Sequence, residues 1–139
     1  MQTAIQLGAA LILAAFCALI HAAGLYLISW LFKLEDKELE KRSLGPETAG
    51  LIVVIALSLF VLHLAEIGVF AGVYAAVGGA PEYADALYYS ASAYTTAGNG
   101  IEDLGPRWRL LGATEALAGF LLIGWSVAYL VAKLRKLRE

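Results

Sequence analysis

Cysteine is almost absent: Cys17 is the single one in the chain. No intrachain disulfide can form and no cysteine-based metal site can be built. The plainer role for Cys17 is a small apolar helix residue. Charge is scarce too. Asp, Glu, Lys and Arg make up 16% of the sequence, and 10 basic against 12 acidic residues leave a net charge of −2. That balance offers no basic excess to recruit nucleic acid. No nucleotide-binding loop, metal cluster or nucleophile–base pair is legible, so neither catalysis, a cofactor nor a small-molecule substrate is expected.

Apolar residues are what the chain has. They form 60% of its 139 residues, and the mean hydropathy is +0.73. Disorder and an ordinary soluble domain are excluded, and a membrane protein is indicated. Three runs reach the roughly 20 apolar residues that a helix needs to cross a bilayer. The first, within residues 1–32, has no Asp, Glu, Lys or Arg. No basic residue precedes it and it is too long for a signal peptide, so it is expected to be retained. The others are residues 49–77 and 109–131. A polar connector, 33–48, joins the first two, either as an interfacial helix or as a solvated link. Gly45-Pro46 breaks it, and Thr48 is positioned to cap the next helix. Residues 132–139 form a basic tail. The connector and tail hold eight Lys and Arg between them, against Arg107 and Arg109 on the other side. The connector and C-terminus are therefore expected in the cytoplasm and the N-terminus outside, across a bacterial-type inner membrane.

Residues 78–108 carry the chemistry. They open with Gly-Gly-Ala-Pro and close with Leu-Gly-Pro-Arg-Trp, both chain breakers. Between them, residues 82–94 read as a helix of three turns that enters the membrane only partway. Pro81 suits its first turn, and Glu82 and Asp85 suit its positive end. Thr95-Thr96-Ala97-Gly98-Asn99-Gly100 follows, and hydroxyls with alternating glycines suit an extended strand of unusual backbone angles. Non-helical backbone at membrane depth is tolerated only where it is buried in protein or lines a polar cavity. A half-helix followed by such a strand is the layout of an ion selectivity filter, in which backbone carbonyls replace the water around an ion.

From about residue 62 to 131 the chain resembles the pore domain of tetrameric potassium channels. That family's usual filter is Thr-Val-Gly-Tyr-Gly; here Thr96-Ala97-Gly98-Asn99-Gly100 stands in its place. Tyr88-Tyr89 match the paired aromatics of the pore helix and Thr95-Thr96 the double threonine. Gly119 matches the inner-helix hinge, and Gly124 follows as in some bacterial members. His63–Glu66 and residues 109–131 resemble the outer and inner helices of small bacterial ion-channel proteins. The resemblance implies an all-α membrane protein with three transmembrane helices, a re-entrant pore helix and an extended filter strand. It implies a homotetramer around a central pore, with membrane lipid and copies of itself as partners, conducting K+ passively. The carbonyls of Thr96, Ala97, Gly98 and Asn99 would form rings of oxygen, with Gly100 closing the filter. Asn99 in place of tyrosine and Ala97 in place of valine remove packing behind the strand, so selectivity is expected to relax toward Na+.

Other residues carry paired readings. Tyr88, Tyr89 and Tyr94 either cuff the filter beside Thr95 or simply pack the half-helix. Glu102 and Asp103 form either an acidic ring at the outer mouth or a hydrated loop. Phe120, Ile123, Val127 and Val131, with Gly119 and Gly124, form either a gate and hinge or packing surface. His63, Glu66 and Glu115 are ionisable groups at membrane depth. A gating cluster competes with an interhelical hydrogen-bonded set, and the second is preferred because the filter already supplies a conduction site. Two alternatives stand beside the channel: a proton-coupled transporter built on those three residues, and a non-conducting scaffold derived from a channel.

Overall fold

The computed structural model describes residues 2–35, 39, 45–98 and 108–136. Four helices make up its described elements: α1 (Gln2–Leu31), α2 (Pro46–Ala76), α3 (Tyr83–Tyr94) and α4 (Arg109–Lys136). Three of them, all but α3, are long and apolar enough to cross a membrane. With no water in the bilayer to satisfy a bare backbone, such runs close their hydrogen bonds internally as helix. The chain is an integral membrane protein of all-helical class. The expected basic tail is still helical as far as Lys136. Half of the connector, 36–38 and 40–44, and the filter and outer-mouth residues Asn99, Gly100, Glu102 and Asp103 lie outside the described residues.

Helix boundaries follow local chemistry. Gly45 in extended backbone (φ −155°) is the N-cap of α2, and Pro46 occupies its first turn. Proline's fixed φ and missing N–H suit that position. Thr48 is therefore not the cap expected of it; it lies buried inside the first turn. Similarly, Pro81 precedes α3 instead of starting it. Glu82 is the N-cap, and the Asp85 carboxylate accepts its backbone N–H at 3.3 Å.

The C-termini of α1, α2 and α3 use one device, a residue in left-handed backbone just past the end. Lys33 (φ 51°) ends α1, where the Leu34 N–H reaches the Ser29 carbonyl at 2.9 Å. Gly78 (φ 67°) ends α2, where the Gly79 N–H reaches the Tyr74 carbonyl at 2.8 Å. Thr96 (φ 61°) ends α3, and its N–H reaches the Ala93 carbonyl at 2.9 Å. Each turn satisfies carbonyls that the helix leaves without partners. At α1 the turn also tucks Leu34 into an apolar cluster with Ile28, Leu25, Leu39, Ile55 and Leu59.

The short helix α3 is wedged between α2 and α4, which touch each other only lightly. Helix α1 packs on the same pair. One core joins Phe70, Ala71 and Tyr74 of α2 to Ala86, Tyr89 and Tyr94 of α3 and to Leu111 and Leu122 of α4. Outward faces stay apolar: Leu11, Leu19, Phe60 and Leu121 are exposed, as lipid or a neighbouring subunit permits.

Candidate functional site

The end of α3 is the structural centre of the molecule. Gly119 on α4 lies directly beneath it. A Cβ there would collide with the Tyr94 carbonyl oxygen and stand 2.8 Å from the Tyr94 carbonyl carbon. Glycine at 119 is thus required for close approach, whatever bending the position also allows. Gly124, by contrast, faces open space.

Beyond Tyr94 the expected extended strand is not what residues 95–98 form. Thr95 caps the helix, its hydroxyl donating to the Ala91 carbonyl at 2.7 Å. Thr96 turns left-handed. Gly98 (φ 76°) then folds back, so that its N–H meets the Ser92 carbonyl at 3.1 Å. A lone extended strand would leave these N–H groups and the last helix carbonyls unpaired; the turn pairs both. Thr95, Thr96, Ala97 and Gly98 are exposed at this end. Of the tyrosines, Tyr89 and Tyr94 point into the core while Tyr88 is exposed, its ring edge-on to Tyr89 at 6.1 Å.

Behind α3 the intramembrane ionisable residues fall into two separate sets. Glu115, fully buried on α4, accepts the Tyr74 hydroxyl at 2.5 Å and the Ser90 hydroxyl at 2.6 Å. The same Ser90 oxygen is 2.8 Å from the Ile67 carbonyl, so its one proton is shared between two acceptors. This set pins α2, α3 and α4 together.

Glu66, also fully buried, is met from three helices. His21 Nδ1 of α1 lies 2.9 Å from Oε1, and His63 Nδ1 lies 3.1 Å from Oε2. The Tyr94 hydroxyl donates to Oε2 and is itself 2.8 Å from His63 Nδ1. On the far side of the His21 ring, Nε2 is 3.4 Å from Ser126 Oγ of α4. A carboxylate that accepts several hydrogen bonds can stay buried where a bare one could not. The expected grouping of His63, Glu66 and Glu115 thus becomes His63 with Glu66, and Glu115 apart with Tyr74 and Ser90.

His21, Tyr74, Ser90 and Ser126 were not singled out by sequence. The signal for His21 was there: it is the one histidine in a run free of Asp, Glu, Lys and Arg, where such a group is a candidate. Treating histidine as neutral in the charge count hides it. On α4, Phe120, Gly124, Val127 and Val131 are exposed in this single chain, while Ile123 packs partly against the core.

A sequence model described as "Ion channel" matches residues 49–136, from the first turn of α2 through the last residue of α4. That is more than half of the chain. The protein belongs to this ion-channel family. Neither the curated proteins nor the solved structures contain a match. The channel region comprises α2, α3 and α4 and leaves α1 outside. His21, which completes the Glu66 set, is therefore supplied by a helix outside the matched residues.

Proposed function

We propose that four copies of this channel assemble around a central pore and conduct K+ passively, with Na+ as a second permeant ion. The observation that carries this reading is the position of α3 within the family match. A short helix is held between two spans, and its C-terminus leads into Thr95-Thr96-Ala97-Gly98 and then Asn99-Gly100. A helix C-terminus is the negative end of its dipole, so a pathway placed there favours cations. One chain supplies one arc of carbonyls, and closed symmetry turns copies of that arc into rings. The turn at Thr96–Gly98 then opens into the filter when neighbouring chains and ions supply its partners.

In this reading Phe120, Gly124, Val127 and Val131, spaced along one stripe of α4, face the pore and form an apolar gate, with Ile123 beside them. Glu102 and Asp103 ring the outer mouth. The termini follow the Lys and Arg bias, with the C-terminus in the cytoplasm. Purified protein reconstituted in liposomes under opposed K+ and Na+ gradients provides the test. A reversal potential between the two Nernst values, with a tetramer by native mass spectrometry, is the expected result. A stable tetramer with no flux of either ion would favour the scaffold. Proton flux that depends on a co-transported substrate would favour a transporter.

A further inference from the structure

We propose that His21, His63 and Glu66 form a binding site for a first-row divalent transition metal ion of the Zn2+ type, within the membrane and behind the pore helix. The ligand atoms are already gathered. The two imidazole nitrogens and the carboxylate oxygen all lie within 4.8 Å of one another. His21 Nδ1 lies 2.9 Å from Oε1 and His63 Nδ1 3.1 Å from Oε2 of the same carboxylate, each separation close to the edge, about 3.3 Å, of a tetrahedron drawn around a zinc ion with bonds of about 2.05 Å. Two imidazoles and one carboxylate are a donor set for a borderline metal. Mg2+ and Ca2+ prefer oxygen throughout.

Three features separate this set from a simple hydrogen-bonded knot. Both rings turn the same nitrogen, Nδ1, toward the one carboxylate, and their centroids approach to 5.4 Å. Second, the outer shell is present for His21. When Nδ1 binds a metal the ring carries its proton on Nε2, and Ser126 Oγ stands 3.4 Å away to accept it. Third, a further oxygen donor is at hand in the Tyr94 hydroxyl, 2.8 Å from His63 Nδ1. The proton balance is simple. Each neutral ring moves its proton from Nδ1 to Nε2, Glu66 contributes its negative charge, and the metal replaces the donors that Glu66 otherwise accepts. His63 gives access: its side chain is 16% exposed, while those of His21 and Glu66 are fully covered.

Occupancy would act on α3 through Tyr94. This residue hydrogen-bonds Glu66, and its carbonyl rests on Gly119. A metal that claims Glu66 competes with the Tyr94 hydroxyl for that carboxylate at the end of α3. Because α1 lies outside the family match, the site belongs to this chain's own elaboration and needs no conduction to exist.

The test uses the full-length protein in detergent, stripped with a chelator and titrated with Co2+ and then Zn2+. The expected result is one Co2+ per chain with the intense visible absorption of a tetrahedral site, displaced by Zn2+. X-ray absorption at the zinc edge should show two imidazole nitrogens. His21→Asn and His63→Asn should each weaken binding at least tenfold, and Ser126→Ala by about tenfold through the outer shell. Absence of saturable Co2+ binding by the folded wild-type protein would overturn the proposal. So would binding that survives both histidine substitutions unchanged. A flux readout is kept separate: loss of Zn2+ binding refutes the site, and absence of flux refutes only the channel reading.

Discussion

At the scale of single residues, two positions show how tightly α3 is seated. Gly119 has no room for a methyl group, because the Tyr94 backbone already fills that space. Gly119→Ala should therefore overpack the α3–α4 contact and destabilise the protein by about 1–3 kcal/mol. Gly124→Ala, which faces open space, should leave stability within about 0.5 kcal/mol of wild type. Thermal unfolding of the purified protein compares the two. Equal melting temperatures would mean that Gly119 serves bending alone. Glu115 makes the complementary case. Glu115→Ala would strand the Tyr74 hydroxyl in a dry interior, at about 1–3 kcal/mol for the group left without a partner, while Ser90 keeps the Ile67 carbonyl as its acceptor. Glu115→Gln keeps one acceptor oxygen and should lose less. Chemical unfolding in detergent would rank them, and an alanine variant as stable as the glutamine one would show that Glu115 is not the pin between the three helices.

Among the elements, α1 is a brace built on this channel's α2 and α4. It reaches α4 in two ways near its C-terminus: Ser29 Oγ lies 2.8 Å from the Tyr129 hydroxyl, and Lys133 Nζ donates to the Leu34 carbonyl at 2.7 Å. It reaches α2 through His21 and through Gly24, where any Cβ would press into the Leu62 side chain at 2.5 Å. Interhelical hydrogen bonds within membranes average about 0.6 kcal/mol, so Tyr129→Phe should cost little, while Gly24→Leu should prise α1 away and cost more. Protease protection of the connector reports the difference; equal protection in both variants would refute the brace. The existence of these spans was legible because an apolar run of about 20 residues with so few charges has few alternatives in a bilayer. Their ends were less so. Gly78 advertises a left-handed turn, but Lys33 and Thr96 adopt the same backbone without a sequence cue, since tertiary packing pays for the strain. The polar partners of Glu66 were half legible: His63 lies one turn away on the same helix, while His21 and Tyr94 arrive from other helices, and no periodicity announces a contact across 45 residues.

In the proposed tetramer, the decisive property is the stiffness of the proposed filter. A potassium filter holds its carbonyls by packing, or by the number and field of its oxygens, and both depend on what stands behind the strand. In that proposal the side chains that would pack the strand are small by sequence. Ala97 lacks the valine methyl groups, and Asn99 fills less space than the tyrosine of the resembling channels, although its amide can hydrogen-bond to neighbours. Tyr89 and Tyr94 are already committed to the core of α2–α4, so neither is free to swing in and replace the missing ring. Restoring both positions, Ala97→Val with Asn99→Tyr, should therefore raise the K+ over Na+ permeability ratio by about tenfold, equivalent to about 1.4 kcal/mol of discrimination. Bi-ionic reversal potentials on reconstituted protein measure this directly. A wild-type channel already as selective as the double variant would mean that the Asn99 amide, by bonding across the ring of subunits, holds the strand as firmly as an aromatic side chain does.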